Sequence, residues 1–371
     1  MSKIHITLVG GQPAPVYHGI VATRPDKIIY IHSSESRKAL KALDLEITVP
    51  SEKIMLDVTL PNKIKECAEH LAEQYQNDEV TVNISGGLKS WSHWFGVVFD
   101  KYPNASVVYM DQNNVLWNYR TMKSSAIPEF DMHTLFRLYG NPLENNYIKF
   151  EEYTEDDFKA IEELEKLRNL NTVDFNHLTT VLDKQRSHLL RTNKTGTFTA
   201  GDSYIQWDKN IQQVKIGICK RDNIKESVLV SPHIMNLAFN AGWFETKIAK
   251  LLSKWNKAKE ICLNCRFPFR PNVDKNEVDI IVNTGVKILF VECKTQITNT
   301  TDIDKFRSVI KGYGGTGSKG LFVTDAKMTE IAKAKCEEHG ILTFSLQNYS
   351  DSVERSLFLL LDTQLRNINT K

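Results

Sequence analysis

Short β-branched apolar runs alternate with amphipathic stretches through the first 146 residues. Ile4 to Val9, Lys27 to Ile31, Val80 to Ile84 and Ala105 to Met110 have strand length, and Ser36 to Leu43, Asn62 to Gln76 and Leu88 to Lys101 between them have helical spacing. That alternation predicts a parallel, doubly wound α/β sheet. Ligands of such sheets sit beyond the carboxyl ends of the strands, on loops leading into helices. From Tyr147 to Lys225 the pattern changes to two charged helices, Glu151 to Asn169 and Phe175 to Arg191, then β-hairpins over Gly196 to Cys219. From Glu226 a second α/β pattern follows: helix, hairpin, helix, strand, helix, strand. The expected organisation is therefore a domain over 1–146, a connector over 147–225 and a second domain over 226–371.

The chemistry concentrates in the second domain. Glu277 to Val282 and Val286 to Lys294 are apolar runs flanking Asn283-Thr284-Gly285, which predicts a β-hairpin. Period-two alternation places Phe290, Glu292 and Lys294 on one face of its second strand. A turn centred near Thr284 and Gly285 sets Asp279 opposite Phe290 and diagonal to Glu292, about 7 to 8 Å away. Ionised groups on an otherwise apolar strand need partners or a metal. Two carboxylates suit Mg²⁺ or Mn²⁺ and phosphodiester chemistry, with Lys294 orienting water. The strand pattern alone leaves an internal ion pair equally open.

Composition adds limits rather than direction. The chain has 371 residues, 41% hydrophobic and 25% charged, with a formal net charge of +2, which excludes fibrous, disordered and uniformly basic classes. No apolar run approaches the ~18 residues of a membrane span. The first ten residues, broken by His5 and Thr7, read as a strand rather than a signal peptide. Six cysteines without a disulfide framework suggest a reducing, cytoplasmic setting. Cys262 and Cys265 have CxxC spacing but lack a second pair, so they read as half-buried thiols. Lys247, Lys250, Lys254 and Lys257 form a helical stripe pointing away from Glu245, expected to be a solvated face. Gly314 to Gly320 has the wrong order and place for a phosphate-binding loop of the Walker type.

Two N-terminal loops complete the set. Val9-Gly10-Gly11-Gln12-Pro13-Ala14 and Ser85-Gly86-Gly87-Leu88-Lys89 each follow a strand and enter a helix. Free backbone N–H groups, helix dipoles and Lys89 suit phosphate. Neither loop is a GxGxxG, which argues against a nicotinamide cofactor; tight turns needing glycine for backbone reasons remain the plain alternative.

Asp279 followed by Glu292-Cys293-Lys294 resembles the D…(D/E)xK signature of the PD-(D/E)XK nuclease superfamily. The resemblance implies a restriction-endonuclease-like α/β domain and a preceding helix with a further acid, matched by Ala241-Gly242-Trp243-Phe244-Glu245. Its implied catalytic set is Glu245, Asp279, Glu292 and Lys294, with Asp279, Glu292 and the carbonyl of Cys293 holding Mn²⁺ or Mg²⁺. No Pro precedes Asp279, and Glu277 stands as an alternative ligand. The N-terminal loops are similar to those of CARF domains, Rossmann-like sensors of cyclic oligoadenylates. Together the two parts resemble the ancillary nucleases of type III CRISPR systems. That resemblance implies a homodimer, a DNA or RNA substrate and cyclic tetra-adenylate as activator. The ligand-binding set it implies is Gly11, Gln12, Pro13, Ala14, Ser33, Ser85, Gly86, Gly87, Leu88, Lys89, Asp111 and Asn113.

Overall fold

The computed structural model describes the chain apart from residues 57–58, 112–114, 182, 286, 297–299, 316–317, 350–351 and 366–371. The N-terminal sheet contains β1 (Lys3–Leu8), β2 (Lys27–His32), β3 (Ser51–Met55), β4 (Glu79–Asn83), β5 (Ala105–Met110), β6 (Leu116–Asn118) and β7 (Lys123–Ser125). Their order is β3-β2-β1-β4-β5-β6-β7, parallel from β3 to β5 and antiparallel beyond. The strand order reverses between β1 and β4, the switch point at which open α/β sheets bind ligands. The expected strands form. β3, the edge strand, was not foreseen, because Ser51, Glu52 and Lys53 give it a polar face.

β8 (Ile148–Lys149) leads into the connector, whose β9 (Thr195–Ala200), β10 (Ser203–Asp208), β11 (Gln213–Lys220) and β12 (Asn223–Val230) form an antiparallel meander. β12 runs across the position expected for the boundary near Lys225. The single helix expected over Phe175 to Arg191 is two, Thr172–Thr179 and Lys184–Thr192. Asn240 explains the break: its N–H donates to the Thr179 carbonyl (2.9 Å) and its Oδ1 accepts from the Val181 N–H (2.9 Å). Asp183 then caps the second piece through the Arg186 N–H.

The third sheet holds β13 (Glu260–Arg266), β14 (Glu277–Asn283), β15 (Ile288–Lys294), β16 (Ser318–Thr324) and β17 (Leu342–Ser345), in the order β17-β16-β15-β14-β13-β8. Helix Gly242–Ser253 covers one face. There Ile280, Val282, Leu289 and Val291 share a core with Phe244, Ile248 and with Leu164, Ile205 and Ile216 of the connector. The opposite face packs Ile281, Phe290 and Phe322 against Phe130, Met132, Phe136 and Leu143 from the end of the first region. The connector and the tail of the first region thus complete the covers that this region's own helices, carrying Phe244 and Ile248 on one face and Phe306 and Ala332 on the other, begin.

The β14–β15 hairpin forms, but its register differs from the expected one. Ile280 pairs with Val291 and Ile281 with Phe290, so continuing the ladder sets Asp279 across from Glu292 rather than Phe290. The turn is longer than Asn-Thr-Gly implies. Thr284 N–H donates to the Lys287 carbonyl (2.9 Å), and Gly285, at φ 81°, donates to Asn283 Oδ1 (2.8 Å). The two-residue slip keeps every side chain on its face. It moves the two acids from a diagonal to a direct pairing.

Candidate active site and sensor loops

Asp279 occupies a break in strand alternation. Val278 packs on one face of the sheet and Ile280 on the other, as do their partners Cys265 and Leu263. Between those partners Asn264 takes a left-handed backbone, φ 55°. The sheet is therefore locally rotated where the acid emerges. Its carboxylate replaces a backbone partner at the end of the β14–β15 ladder, with the Cys293 N–H donating to Asp279 Oδ2 (2.8 Å).

Asp279 and Glu292 are nearly inaccessible, at 6% and 3% exposed. Two ammonium groups neutralise them. Lys294 Nζ lies 2.9 Å from Glu292 Oε1. Lys275, from the loop before β14, donates to Glu292 Oε2 (2.8 Å), Glu292 Oε1 (3.0 Å) and Asp279 Oδ1 (3.3 Å). Burial raises the carboxyl pKa of Asp279, but Lys275, Lys294 and the Cys293 N–H outweigh it and hold the group below the usual range. Glu292 goes the other way, raised by burial and then by Asp279's charge. Both lysines are raised, because the attraction of Asp279 and Glu292 exceeds the cost of burial.

Glu245, on the first turn of helix Gly242–Ser253, lines the same cleft as Lys275, Glu277, Asp279 and Lys294. Burial, then Asp279, holds its carboxyl well above the usual range. Gly242 lets that helix start: a Cβ there would sit 1.9 Å from the Asn236 carbonyl oxygen. Glu277 is engaged at the cleft edge, 3.3 Å from Arg266. The cleft measures about 690 Å³ and is closed on the other side by connector residues including Arg191 and Lys209. Among the described residues, no three His, Cys, Asp or Glu side chains converge as a ready metal cage. The donor chemistry nevertheless fits a hard divalent cation, since two buried carboxylates already surround a cationic group and a third lines the same cleft. The Cys293 thiol is raised well above its usual range by burial and then by Asp279, and its side chain packs in the core shared with Val291 and Leu289.

Three other expectations resolve here. The lysine stripe lies on a solvated face as expected, with Lys250 and Lys254 exposed; at that surface Lys247 pairs with Glu165 (2.5 Å), Lys254 with Glu354 and Lys257 with Asp362 (2.8 Å), and Lys250 lies 4.1 Å over the Phe158 ring. Cys262 and Cys265 are fully buried, and burial pushes the Cys262 thiol up to about 12. Gly315, at φ 62°, abuts the Tyr139 ring, so the glycine loop faces the last helix of the first region; Thr316 and Gly317 lie outside the described residues.

At the N-terminal switch point the two loops touch backbone to backbone. A Cβ on Gly10 would lie 2.8 Å from Gly87 N, and one on Gly86 would lie 2.2 Å from the Leu8 carbonyl oxygen. Gly87 has φ 73°. Gly11 has open space around it, and Gln12 precedes helix Pro13–Thr23, whose Pro13 and Ala14 are buried. Leu88 and Lys89 are exposed at the start of helix Lys89–Phe99. The remaining side chains are occupied inside the fold. Ser85 Oγ donates to Asn83 Oδ1 (2.5 Å) and accepts from the Met110 N–H (2.6 Å). Ser33 Oγ accepts from the Ser36 N–H (3.3 Å). Asp111 accepts from the Val115 N–H (3.0 Å) and Trp117 Nε1 (3.2 Å). Asn113 lies outside the described residues.

Sequence reasoning missed Lys275, Asn83 and Tyr139. Asn83 is fully buried and also donates to the Pro15 carbonyl (3.3 Å), linking β4 to the first helix. A polar residue closing an apolar strand was its only signal. Tyr139 donates to Gln12 Oε1 (3.0 Å) across 127 positions, which no local pattern reveals.

No protein-family model matches the chain, and no curated protein does. Solved structures do. Can2 from Sulfobacillus thermosulfidooxidans, in complex with cyclic tetra-adenylate, is 16% identical with a TM-score of 0.67, covering 98% of this chain and 97% of its own. Protein VC1899 from Vibrio cholerae is 15% identical with a TM-score of 0.67, covering 98% of both chains. A type III CRISPR defence DNA nuclease activated by cyclic oligoadenylate is 15% identical with a TM-score of 0.57; the match covers all of this chain and 53% of that one. The chain shares the α/β fold of these proteins from end to end.

Proposed function

We propose that the protein is a divalent-metal-dependent endonuclease of type III CRISPR defence, switched on by cyclic tetra-adenylate bound between the sensor domains of a homodimer. The observation that carries this reading is the direct pairing of Asp279 with Glu292, beside Lys294, in a cleft whose far wall is basic. Structural neighbours bound to, or activated by, cyclic oligoadenylates support the sensor half. The two loops at the β1–β4 switch point support it independently.

Asp279, Glu292 and the Cys293 carbonyl would hold Mn²⁺ or Mg²⁺, which supplies Lewis acidity toward the scissile phosphodiester. The chain's own groups do the rest. Lys294 orients the attacking water and offsets charge that develops on the phosphoryl oxygens. Glu245, whose carboxyl burial and then the Asp279 charge hold well above the usual range, lines the same cleft beside the paired acids. Arg191, on the opposite wall, meets a flanking phosphate of a DNA or RNA strand. The Rossmann-like half carries two fewer positive than negative charges, 14 against 16, and the nuclease half four more, 20 against 16. A polyanionic messenger must therefore be captured locally, by the N–H groups of Gly11 to Ala14 and Gly86 to Lys89 and by the Lys89 ammonium.

The test is cleavage of labelled single- and double-stranded DNA and RNA with Mn²⁺, with and without cyclic tetra-adenylate. Wild type should cut only with both, and Glu292→Gln or Lys294→Ala should lose at least a hundredfold in rate under conditions where circular dichroism shows each variant folded. Equal cutting without nucleotide would remove the sensor. Cutting by both variants at the wild-type rate would remove the active site.

A further inference from the structure

The loop between β13 and β14, residues 267–276, sends Lys275 into the centre of the acidic cluster. Its ammonium contacts both oxygens of Glu292 and one of Asp279, whereas Lys294 contacts Glu292 Oε1. These are the oxygens a divalent ion would use. Metal–oxygen bonds of about 2.0 to 2.2 Å leave no room for an ammonium on the same atoms, and two cations so close in a buried site repel strongly.

We propose that Lys275 is an internal counter-ion that holds the metal position, so that Asp279 and Glu292 bind a divalent ion only as Lys275 withdraws. The inference rests on reading this cluster as a metal centre. Lys294 is fixed on β15, but Lys275 sits in a segment without regular structure, so it can leave while the sheet stays intact. Removing the counter-ion from two buried carboxylates is costly unless another cation replaces it. Occupation by Lys275 therefore keeps the site assembled and lowers its affinity for metal at the same time.

The loop is anchored from outside the nuclease sheet. The Phe267 N–H donates to the Asn276 carbonyl (2.8 Å), and Asn276 Nδ2 returns a bond to the Phe267 carbonyl (3.0 Å), closing the neck. Phe267 stacks on Tyr313 with centroids 4.4 Å apart. Arg270 donates to the Gly312 carbonyl (3.1 Å) and to the Gly140 carbonyl (3.2 Å). Gly140 follows Tyr139, whose hydroxyl holds Gln12 in the first sensor loop. The position of Lys275 is thereby tied, through Arg270, to the segment that touches the sensor.

Calorimetric titration of Mn²⁺ into the full chain, without substrate or nucleotide, tests this. Lys275→Met should bind Mn²⁺ at least tenfold more tightly than wild type, and its melting temperature should fall in EDTA and recover with Mn²⁺. Arg270→Gln keeps Lys275 but frees its loop, so it should tighten Mn²⁺ about threefold; this guards against a Lys275→Met that does not fold. Glu292→Gln should abolish binding. Unchanged or weaker Mn²⁺ affinity in Lys275→Met or Arg270→Gln, with wild type binding, overturns the inference. Absence of any Mn²⁺ binding by wild type instead overturns the metal reading itself.

Discussion

Two glycines in the loops after β1 and β4 make a controlled pair. In Gly86→Ala the new methyl would sit 2.2 Å from the Leu8 carbonyl oxygen and 3.2 Å from Gly10 N. Both obstacles are backbone, so relief means parting the ends of β1 and β4. Overpacking of this kind costs about 1 to 3 kcal/mol. At about 2 to 4 °C per kcal/mol for a unit of this size, the N-terminal domain should melt about 2 to 12 °C lower. Gly11 has nothing within 4 Å of an added Cβ and does not use a left-handed backbone. Gly11→Ala should therefore leave melting unchanged, or raise stability by about 0.4 to 1 kcal/mol by restricting the unfolded chain. Its effect should fall on the ligand, because the methyl enters the space in which the messenger approaches the first helix. Differential scanning calorimetry and a fluorescence titration with cyclic tetra-adenylate separate the two. Gly86→Ala should lose stability and, with the loop displaced, affinity; Gly11→Ala should lose affinity alone, by tenfold or more. Wild-type melting in Gly86→Ala would refute the backbone contact, and wild-type affinity in Gly11→Ala would take Gly11 out of the site.

Two further outcomes concern buried ionisable groups. His5 is fully enclosed, its Nδ1 2.8 Å from Thr23 Oγ1, and burial lowers its pKa to about 3. On acidification the unfolded chain binds the proton first, so this contribution to stability is complete above about pH 6.5. It falls as pH drops toward 3, by about 1.4 kcal/mol per unit. In urea melts the stability advantage of wild type over His5→Asn should shrink from pH 6.5 to 4, and a constant difference would contradict a neutral buried imidazole. Asp157 accepts from Thr154 N (2.8 Å), Thr154 Oγ1 (3.0 Å), His233 N (3.0 Å) and His233 Nδ1 (3.0 Å), joining the connector helix to the segment after β12. Asp157→Ala strands these donors and should cost about 3 kcal/mol or more. A change in the denaturant midpoint equivalent to under 1 kcal/mol would show that water takes over the carboxylate's place.

The central strands of both α/β halves were legible as β-branched runs bounded by turn residues, whereas β3, β6, β7 and β13 were not. Glu292 and Lys294 were legible from the period-two face of β15, but Asp279 sits where alternation breaks, and its place came from the hairpin rather than from period two. Register was not legible. The bonds from Asn283 and Thr284 that lengthen the turn depend on a loop conformation that residue types leave open. Lys275 carried no signal, being one loop lysine among many, brought to the acids by the packing of Phe267 and Arg270. Ser85 and Asp111, ligand candidates by resemblance, carry a second role that residue type did not show: their oxygens bind backbone and side-chain groups at the ends of β4 and β5. The lysine stripe lies on the outer face that helical arithmetic assigns it, and what that arithmetic could not show is its surface pairing with Glu165, Glu354 and Asp362, which come from elements distant in sequence.

The borrowed covers of the third sheet bear on how the chain is made. Phe130, Met132 and Phe136 leave the ribosome long before β13 to β17, the strands they shield. β8 must likewise wait for Cys262 and Leu263, its partners on β13. The first sheet can close once β7 has emerged, but its tail then carries an uncovered aromatic patch through the synthesis of well over a hundred residues. Such patches invite association with other chains. Cutting the gene at Glu226 would reproduce that hazard permanently, removing part of the cover from each face of the third sheet. The region 226–371 is therefore expected to precipitate when expressed alone, and to recover when a fragment spanning residues 126–225 is co-expressed with it.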